Sequence, residues 1–248
     1  MRIDVFFGPQ TCGPTEVTSR VVAVIDVLRA STTIAVALAN GARKIVPFEN
    51  SEDAVLRSKD FERGGVRLAG ERRMRPIPSF DFGNSPLEFT REAVDGHTLL
   101  FATTNGTGAL VAVHGAREVV VASYVNFTAV LALLGAAARG NVDITILCAG
   151  SERQFSLEDA ACAGRYVRHL VAGHPDAQLN DAARAAMLVE QGYGDDIARV
   201  FADGSHARAL VEAGYGDDLA ICASVDAYPV IPIYQDRQIT KLGPDRER

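Results

Sequence analysis

Residues Val21-Val-Ala-Val-Ile25 form an unbroken apolar run that ends on Asp26; three residues on, Arg29 leads into Ser31-Thr32-Thr33. Apolar at every position rather than every second one, the run fits a strand buried on both faces, the kind found inside a parallel sheet. A carboxylate at the end of such a run is costly to bury without a partner. Acid, cation and helix N-terminus converging there make a place to hold a metal ion and a phosphate. Helix capping by Asp26, or its pairing with Arg29, is the alternative reading.

The rest of the chain repeats the pattern. Further strands are expected at 3–7, 44–48, 66–69, 98–102, 118–122 and 143–148, with 21–26 as the first-named. Helices are expected at 31–40 with Gly41 as C-cap, 52–63 closed by Gly64 and Gly65, and at 106–114, 126–139 and 156–172. Such alternation implies parallel βαβ units. The last third changes to short helices at 180–192, 195–202, 205–214 and 217–223, then a strand at 229–234. Within it Gly192-Tyr-Gly-Asp-Asp-Ile-Ala198 is echoed by Gly214-Tyr-Gly-Asp-Asp-Leu-Ala220, which reads as two similar capped helix starts. The expected fold is α/β: a mostly parallel sheet with helices on both faces, three layers in all, and a helical C-terminal region returning as a last strand. One functional unit over 1–248 is expected, with an internal division near 95–105 or near 175.

Composition excludes several classes. The net charge is −6 and no Lys/Arg run exceeds two, which argues against a nucleic-acid partner. No apolar stretch approaches the ~20 residues of a membrane span, and the first residues have no signal-peptide pattern. Four cysteines without CxxC spacing read as buried thiols in a reducing, cytoplasmic compartment. The apolar helix around 129–138 suits a subunit interface, so a homo-oligomer, most simply a dimer, is expected.

Polar clusters follow almost every expected strand: Gly70-Glu71-Arg72-Arg73, Thr103-Thr104-Asn105-Gly106-Thr107-Gly108, Ser123-Tyr124-Val125-Asn126 and Ala149-Gly150-Ser151-Glu152-Arg153 before Ser156-Leu-Glu158-Asp159. Ligands of open α/β sheets bind beyond the carboxyl ends of strands, so these clusters point to one shared site. Three familiar motifs fail. Gly106-Thr-Gly108 opens a helix as a dinucleotide fingerprint would, but Val111 stands at its third glycine. Cys148 and Arg153 are one residue too close for a cysteine-phosphatase loop, and Leu28 replaces the second acid of an aspartyl-phosphate motif.

Taken together, Val24-Ile-Asp26-Val-Leu-Arg29-Ala-Ser-Thr-Thr33, Gly70-Glu71-Arg72, Phe80-Asp81-Phe-Gly83-Asn84-Ser85-Pro86-Leu-Glu88, Thr103-Thr-Asn-Gly-Thr107 and Cys148-Ala-Gly150 with Ser156-Leu-Glu-Asp159 are more specific than any one alone. Their types and order resemble the 2-phosphosulfolactate phosphatase (ComB) family over essentially the whole chain. The resemblance implies a Mg²⁺-dependent phosphatase that converts 2-phospho-3-sulfolactate to sulfolactate and phosphate, a step toward coenzyme M. The chain departs at Gly108, where a larger, often basic residue is expected.

The candidate catalytic groups are Asp26, Arg29, Glu71 and Cys148. Mg²⁺ prefers a few carboxylates plus water and substrate oxygens, and Asp26, Asp81, Glu158 and Asp159 are its candidate ligands. Arg29 and Arg72 are the natural anion clamps, joined for substrate by Ser31, Thr32, Asn84, Ser85, Thr104, Asn105, Gly106 and Ser151. Attack by a water activated by Asp26 or the metal competes with a covalent intermediate on Asp26 or Cys148, for which a buried structural thiol is the other reading. The partner in either case is a small anionic phosphorylated substrate. A non-catalytic binder of phosphorylated or sulfonated metabolites is the alternative function, and a dinucleotide-dependent oxidoreductase is a third. Ser205-His206-Ala-Arg208 has no assigned role, although His206 could reach the site from the C-terminal helices.

Overall fold

The computed structural model describes residues 1–243 apart from Arg63, Asn105 and Arg153, and leaves the Thr107 side chain undescribed. The strands are β1 (Arg2–Phe6), β2 (Val21–Ile25), β3 (Lys44–Phe48), β4 (Val66–Arg72), β5 (Arg75–Pro76), β6 (Thr98–Ala102), β7 (Glu118–Ala122), β8 (Ile144–Cys148), β9 (Gln178–Leu179), β10 (Pro232–Gln235) and β11 (Gln238–Lys241). The helices are α1 (Ala30–Ala39), α2 (Ser51–Ser58), α3 (Arg91–Val94), α4 (Gly106–Ala112), α5 (Phe127–Arg139), α6 (Leu157–Gly173), α7 (Asp181–Tyr193), α8 (Ile197–Asp203), α9 (Ser205–Glu212) and α10 (Asp218–Cys222). Among the described residues no helix is long and apolar enough to cross a membrane.

One sheet runs in the order β5-β4-β6-β3-β11-β10-β7-β2-β8-β1-β9. β2 lies between β7 and β8, parallel to both, which is why every one of its five residues is apolar and buried. Val21, Ala23 and Ile25 join the core that holds Val130 and Leu134 of α5 and Tyr166 of α6. Val22 and Val24 join the opposite core, with Ile34 of α1 and Ala109 and Leu110 of α4. The two faces are therefore both covered, at about 1.5–3 kcal/mol for each large aliphatic side chain taken out of water.

The C-terminal strand does more than the sequence suggests. It is a hairpin, β10 with β11, whose turn residues Asp236 and Arg237 both have positive φ. It inserts in mid-sheet, antiparallel to β7 on one side and to β3 on the other. Three reversals in a row make β3, β6 and β4 run opposite to β7, β2, β8 and β1. In a flat sheet that would put the ends of β2 and β6 on opposite edges. Twist of about 20–25° per strand pair, summed over the five steps between them, turns them back toward each other by roughly 100–125°. The residues after β2 and after β6 consequently meet, and the site lies there.

The C-terminal helices pack on the same end. Gly164 of α6 lies so close to α7 that a Cβ on it would stand 2.0 Å from the Ala186 carbonyl, and Arg168 holds Glu190 through two bonds of 2.7 and 2.8 Å. The repeated segment diverges in place. Asp196, rather than the preceding glycine, caps α8 by accepting from the Arg199 N–H at 3.0 Å, while the equivalent Asp218 turns inward and is buried.

Candidate active site

Asp26 is both a cap and a site residue. Its Oδ1 accepts from the Ala30 N–H at 3.2 Å, and its own N–H donates to Ser31 Oγ at 2.9 Å. Its Oδ2 faces Gly106, where a Cβ would stand 2.9 Å from that oxygen and 2.8 Å from Ala30 Cβ. Only glycine lets α4 come so near, which gives Gly106 a packing reason independent of any dinucleotide. Burial pushes the Asp26 carboxyl up to about 6; the charges of Glu71 and Glu158 add to the rise, while those of His206 and the Ala30 N–H oppose it.

Two more carboxylates hold the loops around it. Asp159, in the first turn of α6, accepts from the Val27 N–H at 2.8 Å and the Gly150 N–H at 3.1 Å, tying the loop after β2 to the loop after β8. Burial, with the charges of Asp26 and Glu158, raises its pKa well above the ordinary range. Glu71 of β4 accepts from the Thr104 N–H at 2.7 Å, the Thr104 hydroxyl at 3.1 Å and the Met74 N–H at 2.8 Å. It thus joins the turn after β4 to the loop after β6. Glu158 is buried beside them.

Arg29 is buried and paired with Asp218 of α10 at 2.6 Å, with Tyr215 stacked on its guanidinium at 4.3 Å. Its Nη2 donates to the Met74 carbonyl at 3.3 Å, and Ser85 donates its hydroxyl to the other Asp218 oxygen. His206 of α9 donates from Nε2 to the Leu28 carbonyl at 2.9 Å and lies 2.9 Å through Nδ1 from Ser151 Oγ. Asp26, Arg29, Glu71, Arg73, Asn84, Thr104, Ser151 and His206 line one cavity of about 270 Å³. That volume suits a small metabolite rather than a nucleotide.

Several sequence expectations change. Ser31 and Thr32 are buried and spent on the fold: Ser31 Oγ takes the Asp26 N–H, and Thr32 Oγ1 donates to the Val27 carbonyl at 2.9 Å and meets Ser123 Oγ at 2.8 Å. Arg72 points away from the cavity to the Glu49 carbonyl at 2.8 Å, and its neighbour Arg73 lines the cavity instead. The reason is the turn: Arg73 and Met74 both adopt positive φ, which reverses the chain after β4. Asp81 is exposed and accepts from the Leu68 N–H at 2.8 Å, outside the cavity lining. Cys148 is buried in the core, and burial together with the nearby Asp159 charge raises its pKa well above that of an ordinary thiol. Burial of this kind favours the neutral thiol, the form of a structural cysteine rather than of a nucleophile. Asn105 lies outside the described residues. Sequence reasoning missed Asp218, Tyr215 and Arg73; no local signal separates Asp218 from its echo Asp196.

Among the described residues, no group of three or more His, Cys, Asp or Glu side chains is spaced to hold a metal ion. The site instead concentrates buried carboxylates around Asp26, with Arg29, Arg73 and His206 in the same cavity wall.

The comparisons with known proteins agree with this chemistry. The sequence matches the 2-phosphosulpholactate phosphatase family over residues 8–237. It is 40% identical over 227 residues to a probable 2-phosphosulfolactate phosphatase of Symbiobacterium thermophilum, covering 92% of this chain and 96% of the relative. A similarly named protein of Clostridium botulinum (strain Eklund 17B / Type B) is 32% identical over 242 residues, covering 98% and 100%. One of Carboxydothermus hydrogenoformans is 42% identical over 183 residues, covering 74% and 73%. The chain belongs to the 2-phosphosulpholactate phosphatase family.

Proposed function

We propose that this phosphoric monoester hydrolase removes phosphate from 2-phospho-3-sulfolactate or a closely related phosphorylated 2-hydroxy acid, and that it uses Mg²⁺. The observation that carries the reading is Asp26, a buried carboxylate with its pKa near 6, set in a small cavity with Arg29, Arg73 and His206. Hydrolysis of a phosphomonoester needs a positioned nucleophile and charge neutralised on the phosphoryl oxygens. Asp26 receives the proton of the attacking water. Arg73 and the Thr104 loop face the anionic groups of the substrate, while Arg29, fixed by Asp218 and Tyr215, lends a rigid positive wall.

The donor set fits a hard cation held through few protein oxygens. Glu158 would hold it directly and Asp26 through the water it activates, most of the remaining positions going to water and substrate, as Mg²⁺ prefers. When bound, Mg²⁺ supplies charge neutralisation at the phosphoryl group. Glu71 and Asp159 position the loops and are already occupied by backbone N–H groups. A place in coenzyme M synthesis, a cytoplasmic location and a homodimer belong to the same proposal; sedimentation tests the last.

The decisive assay is phosphate release from a panel of phosphorylated hydroxy acids, with Mg²⁺ and with EDTA. Release that depends on Mg²⁺ and favours a second anionic group is expected. Absence of release from every member would replace the enzyme by a binder of such metabolites.

A further inference from the structure

The reaction leaves an alkoxide, the conjugate base of an ordinary alcohol, and such a leaving group departs slowly unless it is protonated. Among the described cavity residues most charged groups cannot serve. Glu71 accepts three hydrogen bonds, Arg29 is locked to Asp218, Arg73 does not release protons at neutral pH, and Asp26 is engaged with the water. Glu152, Ser205, Ser151 and His206 also line the cavity, and of these Ser151 and His206 are bonded to each other. The imidazole is oriented by a third group, since its Nε2–H is committed to the Leu28 carbonyl and only Nδ1 is directed at Ser151 Oγ. Ser151 is itself held by the turn in which its N–H donates to the Gln154 carbonyl at 3.1 Å, after Gly150 at φ 71°. A hydroxyl and an imidazole nitrogen within 2.9 Å, with the other ring nitrogen fixed, form a unit through which a proton can pass.

Resting on the phosphatase reading above, we infer that Ser151 is the catalytic group on the leaving-group side and that His206 is its positioning residue and proton reservoir. As the P–O bond breaks, its electron pair stays on the substrate oxygen. That oxygen takes the Ser151 hydroxyl proton, Ser151 takes the Nδ1 proton of doubly protonated His206, and the imidazole is left neutral to be recharged from solvent. The C-terminal helices thus contribute chemistry as well as cover.

The test compares two substrates in the Mg²⁺-loaded enzyme: a 2-phosphorylated hydroxy acid and p-nitrophenyl phosphate, whose leaving group departs as a stable anion. Ser151→Ala should lower kcat on the hydroxy-acid ester by roughly 10²-fold or more while changing p-nitrophenyl phosphate by less than about threefold. His206→Gln, whose amide can still donate to Leu28, should show the same selectivity. Equal loss on both substrates, no loss on either, or phosphate trapped covalently on Ser151 would overturn the relay. A parent enzyme that hydrolyses neither substrate overturns the phosphatase reading and the relay with it.

Discussion

Two aspartates of the parallel block, Asp4 in the middle of β1 and Asp26 just past the end of β2, are both nearly without solvent and have been given different company. Asp4 of β1 meets Arg20 at 2.7 Å and Arg2 at 3.5 Å, with Thr145 bonded to the same Arg20. Asp26, at the carboxyl end of β2, has no ion pair among the described residues; its charged neighbours are His206 on one side and three carboxylates, Glu71, Glu158 and Asp159, on the other. A buried carboxylate with a guanidinium is an element of the fold. A buried carboxylate among other carboxylates is kept at a cost to stability, which marks it as held for another purpose. The same split divides Arg72, bonded to a backbone carbonyl, from Arg73, turned to the cavity.

The comparison breaks most sharply at Asp26. Asp26→Asn should lower kcat by roughly 10²–10⁴-fold with the fold intact by circular dichroism. Arg73→Ala should raise KM about tenfold or more through loss of a charged contact to substrate, while Arg72→Ala changes it less than about threefold. Stability should move the opposite way from activity. The folded pKa of Asp26, about 6, lies above the ordinary 3.8, so between those values the native state holds a proton the unfolded chain lacks. Stability therefore falls as pH rises through that window. Metal-free Asp26→Asn should accordingly be more stable than the parent at pH 7, by about 1–3 kcal/mol, the difference vanishing below about pH 4. Asp4→Asn should do the reverse, costing about 2 kcal/mol by leaving Arg20 unpaired and sparing turnover per folded molecule. Chemical denaturation with parallel assays checks both, and a destabilised Asp26→Asn would show that its burial serves the fold after all. The smallest effect is Cys148→Ala, expected to keep kcat and cost about 1 kcal/mol; a dead but folded variant would restore the thiolate route.

Much of the fold was legible locally. The runs at 21–26, 44–48, 98–102 and 118–122 became strands with bounds within a residue; two-sided burial makes 21–25, 99–102 and 119–122 continuously apolar, whereas 44–48 is mostly half-buried. β11 was not visible: Gln238-Ile-Thr-Lys241 is short and polar at three of its four positions, and it becomes a strand because β10 and β3 offer it two edges. In the site, Asp26, Arg29, Glu71, Thr104 and Ser151 could be named because strand ends in α/β proteins carry ligand contacts. Which of their neighbours face the cavity could not.

By itself, then, the chain determined its alternation of strands and helices and the placing of acid, cation and hydroxyls at strand ends, since both follow from the burial of nearby residues. Tertiary structure alone decided which of two adjacent arginines faces the cavity, and which of two nearly identical Gly-Tyr-Gly-Asp-Asp segments sends its aspartate to Arg29. Those choices depend on the reversal after β4 and on the twist that folds the sheet's two parallel blocks together. Both are properties of contacts between distant residues, to which the local pattern is blind.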